Sequence, residues 1–279
     1  MILPLSKIAQ RRKKTIVFLL FCLVVLIVWL SISPSNNRNW NTDQAILPSA
    51  EIEGNLIHIH NIRNFTYRST TDFTPAYYDK TFDLTKLKKI YYIVEPFSNW
   101  EGSAHTFVSF EFESSQFISI SIEIRKEKGE GFSAWKGLLK QYEIMYVIAD
   151  EWDVVKLRSN YRKDSVFIYP IKTTPERMQK VFLEMIQSAN KLKDKPEFYN
   201  TLTNTCTTNL VHHANSIVPG RIPFSYKVLF PGYSDRLAYD LGLIDTNLSF
   251  EETRAKYKIN ERADKYADSP DFSQKIRGH

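Results

Sequence analysis

His105-Thr106-Phe107-Val108-Ser109-Phe110-Glu111-Phe112, then the short polar break Glu113-Ser114-Ser115, then Gln116-Phe117-Ile118-Ser119-Ile120-Ser121-Ile122-Glu123-Ile124, is the stretch that decides the fold. Apolar residues recur at every second position on both sides of a three-residue turn, the signature of a β-hairpin whose strands bury side chains. Outward from it, Asn55–Ile62 alternates in the same way, and Lys89–Glu95 is a short apolar run ended by Pro96. Ile144–Ile148, Val154–Arg158 and Ser165–Tyr169 read as further strands.

The second half of the chain changes period. Thr174-Pro175-Glu176 places an N-cap before a proline at the first helical position. Met178, Val181, Phe182, Met185, Ile186 and Ala189 then recur at helical spacing, which predicts a helix over 175–192. A second helix is expected to open at Cys206, bury Leu210, Val211, Ala214 and Ile217, and stop at Pro219-Gly220. Glu251–Ala267 reads as one late surface helix. The fold class is α+β, an antiparallel sheet packed on a few helices.

Residues 1–14 are basic, with Arg11-Arg12-Lys13-Lys14 directly before an uncharged run over 15–33. That run is long enough to span a bilayer, and the charge before it predicts a cytoplasmic N-terminus with everything later outside. It has no clean small-residue cleavage site, so a single uncleaved signal anchor is expected, with Cys22 inert in the membrane; a cleaved signal peptide is the competing reading. Residues 34–50 are rich in Ser, Asn, Pro and Asp and read as a flexible stalk; 51–279 is long enough for one domain. Five positive charges of the net +6 fall in 1–33, leaving +1 for the remainder, which excludes a nucleic-acid footprint. Nothing in the sequence points to a metal or an organic cofactor.

Cys206 is the only cysteine outside the apolar segment. Exported chains use cysteines mostly in pairs, so a lone one is either packing or a nucleophile. Thr203, Asn204 and Thr205 are all good capping residues, which puts Cys206 in a first helical turn where amide N–H groups stabilise a thiolate. A nucleophile needs a base within hydrogen-bond reach. His212 and His213 are six and seven residues further along the same helix, about 9–10 Å away at 1.5 Å per residue. His58 and His60 share a strand face with no third ligand spaced to complete a site, and His279 ends the chain. His105, at the mouth of the hairpin, is left as the candidate base. Glu123, with Ser119 and Ser121 on the same face of the paired strand, is the candidate to orient it, or else pairs with Arg125 or a lysine. Asn204 and Asn209 flank the cysteine and either hold a loop or bind substrate oxygen. Arg125, with Lys126 and Lys128, is a candidate for lipid phosphate, against a solvated turn.

Ala104–Phe110, Ser121–Glu130, Gln141–Glu143, Ala149–Glu151, Leu157–Asn160, Phe198–Asn204 and Cys206–Asn209 together resemble the family named for the Lnb N-terminal periplasmic domain. Ile62–Phe65, Asp72–Pro75 and Asp271–Ser273 extend the resemblance over nearly the whole chain after the stalk. The resemblance implies lipoprotein N-acylation in the bacterial envelope, with a domain in the periplasm anchored in the inner membrane and Cys206 and His105 as the catalytic pair. A membrane phospholipid or diacylglyceryl group would donate the acyl chain, and the amine of a lipoprotein would accept it. The order of a histidine strand before a cysteine helix is similar to permuted NlpC-type papain-like enzymes and to lecithin:retinol acyltransferase, which act through an acyl-cysteine. A papain-like hydrolase of the cell envelope and a non-catalytic binding module remain open alternatives. A lipid-sized apolar groove beside Cys206 favours transfer, a narrow polar cleft favours hydrolysis, and separation of Cys206 from His105 favours binding alone.

Overall fold

A computed structural model describes residues 5–278 and divides into two units, Met1–Ser35 and Asn36–His279; Met1–Pro4 and the candidate His279 lie outside the described residues. In the first unit α1 (Leu5–Ser31) is one helix, and its Arg11–Ser31 portion is long and apolar enough to cross a membrane.

The second unit carries β1 (Ser49–Glu53), β2 (Leu56–Arg63), β3 (Thr66–Tyr67), β4 (Phe73–Thr74), β5 (Tyr77–Asp83), β6 (Leu87–Pro96), β7 (Ala104–Phe112), β8 (Gln116–Arg125), β9 (Glu143–Ala149) and β10 (Phe167–Pro170). Eight of them form a sheet in the order β1-β2-β9-β8-β7-β6-β10, with β5 also paired to β2. Every pairing in it is antiparallel except a parallel bridge between Arg63 and Ala149. The hairpin is present as expected, β7 on β8 with Phe107 opposite Ser121 and Phe112 opposite Gln116. Its tight link puts Ser114 and Ser115 at φ +57° and +56°, a left-handed strain that short polar residues bear more easily than branched ones.

The helices are α2 (Ala134–Leu138), α3 (Glu151–Lys156), α4 (Pro175–Asp194), α5 (Cys206–Ile217), α6 (Tyr226–Leu229), α7 (Ser234–Asp240), α8 (Phe250–Tyr257), α9 (Asn260–Lys265) and α10 (Phe272–Lys275). They cover both faces of the sheet. On one face, Val108, Phe110, Ile120, Ile122 and Ile148 meet Met178, Phe182, Met185 and Ile186 of α4, with Cys206 in the same cluster. Each such side chain contributes at most roughly 1.5–3 kcal/mol by burial. On the other face, Phe107, Met145 and Val147 pack with Val154 and Val155 of α3 and with Ile259, Phe272 and Ile276.

Three expectations are corrected. Val154–Arg158 is no strand: α3 runs into a π-turn at Leu157–Tyr161. Strand propensity is overridden because the helix buries both valines and turns Arg158 onto the carboxylates of buried Glu95 and half-buried Glu123. The late helix is two, α8 and α9, because Lys258 bridges Phe167 and the Ile259 N–H donates to the Val166 carbonyl. The loose stalk is largely part of the domain, since Trp40 and Gln44 are buried. Trp40 lies under the Arg125 guanidinium, 4.3 Å from its ring centroid.

Candidate functional site

Thr205 caps α5. Its hydroxyl accepts from the Thr208 N–H (3.2 Å) and the Thr208 hydroxyl accepts from the Thr205 N–H (2.7 Å), a reciprocal box that fixes the helix start. Cys206 is therefore the first helical residue, as expected, with 9% of its surface exposed. Its Sγ lies 3.6 Å from Thr207 Oγ1, which lies 2.9 Å from Thr106 Oγ1 on β7. Tyr92 on β6 bonds Thr106 and donates to Ser234 Oγ (2.6 Å), and Ser234 donates to the Pro231 carbonyl. Burial raises the Tyr92 phenol pKa well above its ordinary value, so it stays a proton donor. A line of neutral hydroxyls thus runs from the thiol across the sheet.

Thr207, Tyr92 and Ser234 also line a groove of about 170 Å3, open to solvent, between α4, α5 and α7. Its remaining wall is mostly aliphatic, including Leu210, Val211, Ala214, Ile217, Val228 and Leu237. Apolar pockets with a few convergent polar groups are the usual form of a small-molecule site. The apolar face of α5 was legible in the sequence; the hydroxyls of Tyr92, Thr106, Thr207 and Ser234 were not, because single hydroxyls carry no spacing signal.

His105 is elsewhere. Successive strand residues point to opposite faces, and Thr106 meets Thr207 of α5, so His105 projects away from α5 to the other side of the sheet. Its Nε2 lies 2.7 Å from Ser121 Oγ, and Ser121 donates to Glu123 Oε1 (2.9 Å). Glu123 also accepts from Arg158 Nη2 (2.9 Å) and sits 3.9 Å from His105 Nε2. The expected company of His105, Ser121 and Glu123 is assembled. The expected pair of His105 with Cys206 is not, and a direct proton transfer between them is corrected on that ground. Burial and the Arg158 charge push the His105 imidazole down to about 3, so it is neutral at physiological pH. Burial opposes charge on Glu123, yet Arg158 and its neighbours hold its carboxyl well below the usual carboxylate range.

The remaining candidates are structural in their contacts. Arg125 does not face lipid: it is buried, donating to the carbonyls of Gln44 (2.9 Å) and Ala45 (2.7 Å) and to Asn36 Oδ1 (2.8 Å). Asn209 Nδ2 donates to Asn204 Oδ1 (2.7 Å) and to the Thr205 carbonyl (2.8 Å), while Asn204 Nδ2 donates to the Phe198 carbonyl (2.8 Å). Both amides hold the loop that presents Cys206. His213 is buried on the Cys206 face with Nε2 2.6 Å from the Tyr146 hydroxyl, and burial lowers it to about 4. His58 is taken by Thr81 (2.6 Å) and His60 by Asp79 (2.8 Å).

Residues 73–232, more than half of the chain, match the family of the Lnb N-terminal periplasmic domain, and the chain belongs to that family. No curated protein and no solved structure gives a match. The matched region runs from β4 through α6 and contains both Cys206 and His105. The folded unit is thus a periplasmic domain of an envelope protein.

Proposed function

We propose that this domain is a membrane-anchored acyltransferase of the lipoprotein-modifying kind. The groove along α5 takes the acyl chain of a phospholipid or diacylglyceryl group, and Cys206 carries the acyl group to an amine, that of a lipoprotein N-terminus. The observation that carries this reading is the juxtaposition of a helix-start cysteine with an aliphatic groove whose wall begins at the next residue, Thr207. The sulfur adds to the ester carbonyl, the carbonyl–oxygen bond to glycerol breaks, and the thiol proton ends on the departing glycerol oxygen. The amine then attacks the thioester, the carbon–sulfur bond breaks, and an amine proton returns to sulfur. First-turn backbone N–H groups of α5 stabilise the tetrahedral oxyanion. The Thr207 and Thr106 hydroxyls are the groups placed to relay the proton. Of the papain-like arrangement this keeps the cysteine at a helix start and dispenses with its histidine partner.

An aliphatic groove suits a lipid better than a peptide, which favours transfer over the peptidase or amidase reading. A second reading, an acyl-chain-binding module without chemistry, is favoured by one observation: His105 lies across the sheet from Cys206. Intact mass spectrometry of the full chain purified from membranes, with and without neutral hydroxylamine, separates the two, alongside Cys206→Ser. A fatty-acyl mass that hydroxylamine removes and Cys206→Ser lacks supports transfer. Lipid retained non-covalently by both proteins, with no adduct after incubation with phosphatidylethanolamine vesicles, supports binding alone.

A further inference from the structure

The folded unit displays its exposed aromatic side chains very unevenly. Among the described residues, those most open to solvent are Phe224 (87%), Trp135 (76%), Tyr226, Phe132 and Trp100 (54%), followed by Phe97 and Phe230. All of them come from three segments, 97–102, 131–139 and 222–233, and exposed Leu202 adds a fourth, the loop that leads into Cys206. These segments touch one another. The Phe97 and Phe132 rings meet edge-on at 6.2 Å, and those of Trp100 and Phe230 at 5.2 Å. The Gly232 N–H donates to the Gly102 carbonyl (3.1 Å), and the Thr201 hydroxyl donates to the Ala134 carbonyl (2.7 Å). One contiguous rim results, with Ile222 and Val228 of its third segment also lining the groove.

We propose that this rim is a membrane-docking surface that seats its aromatic tips in the headgroup–acyl boundary of the bilayer to which the chain is anchored. Apolar patches of this kind mark interaction sites, and Trp, Tyr and Phe are the side chains that partition to a membrane interface. The covalent geometry selects lipid as the occupant. Only residues 32–35 separate the end of α1 from the folded unit, at most about 14 Å of extended chain, so the bilayer surface is within constant reach. The tether joins the domain at the base of the rim segment that bears Phe132 and Trp135. Asn36 accepts from Arg125, and the Lys128 N–H donates to the Asn39 carbonyl (2.8 Å). A shallowly inserted rim opens the groove toward lipid and brings the Cys206 loop to the depth of the ester carbonyls.

The inference rests on α1 spanning the membrane and not on acyl transfer, and its test does not pass through Cys206. The full chain carrying Trp29→Phe is reconstituted in phosphatidylethanolamine–phosphatidylglycerol vesicles with acyl chains either brominated or unbrominated. Brominated lipid is expected to quench the tryptophan emission, and the added Trp100→Phe and Trp135→Phe substitutions to abolish that quenching. Trp40, buried in the domain, and Trp152, packed on Phe272, give the unquenched reference. Equal emission in both vesicles before those substitutions overturns the proposal. So does a dimer in the vesicles that Phe224→Ser and Trp135→Ser dissociate, because the rim is then covered by a second copy.

Discussion

On the α4–α5 side of the sheet, Val108, Phe110, Ile120 and Ile122 meet aliphatic and aromatic side chains, and the polar groups are neutral: a row of hydroxyls beside Cys206 and the His213–Tyr146 pair. One residue along each strand, on the α3 side, the same sheet holds charge. Arg158 bridges buried Glu95 and half-buried Glu123, Arg63 bonds Asp153 (2.9 Å), and Arg277 bonds buried Glu151. His105 belongs to this second layer. Buried ion pairs are costly to desolvate and tolerate little, whereas an aliphatic wall can part around a ligand. One face is thus built for rigidity, and on the proposed function the other takes the ligand.

Breaking the charged layer is expected to have the largest effect. Arg158→Met leaves the buried Glu95 carboxylate without its closest cation and removes a partner of half-buried Glu123, and should cost about 3–5 kcal/mol of stability, read by denaturant unfolding. A loss under 1 kcal/mol, about the value of a surface pair, would erase the contrast between the faces. The pH dependence sharpens it next, because each face holds one neutral histidine, His213 buried and His105 half-buried. His105 is pushed down to about 3 and His213 to about 4, against about 6.5 in an unfolded chain. Below pH 6.5 the unfolded state binds the extra protons, so stability falls as pH falls, by at most about 1.4 kcal/mol per pH unit for each histidine. His105→Gln and His213→Asn should each remove one histidine's share of that slope between pH 6.5 and 4. Smaller again is the cap of the binding-side helix: Thr205→Ala should cost about 1 kcal/mol. It should also weaken any Cys206 adduct, as read by intact mass.

The sheet was legible because period-two alternation in 105–124 admits one local structure, and α4 because its cap, proline and apolar spacing agree. That Cys206 and His105 lie on opposite faces of the sheet was not legible, for a reason visible in the same strand. Phe107 and Val108 are both apolar and both buried, so alternation cannot tell which face a later helix covers. A strand apolar on both faces hides its polarity, so nothing in the sequence shows that His105 faces away from α5. The packed segment 36–50 was missed because its composition is that of a linker, broken by few large apolar residues, Trp40, Ile46 and Leu47. Glu123 beside His105 was found because residues two apart on a paired strand must share a face.

The account turns on Cys206 acting without His105. Intact mass spectrometry of full-length His105→Gln and Cys206→Ser, purified from membranes and treated with hydroxylamine, tests this most directly. The thioester-linked acyl mass should persist in His105→Gln and vanish in Cys206→Ser. Its disappearance from both proteins, with the unfolding midpoint of His105→Gln unchanged, would contradict the account and return the histidine to the reaction.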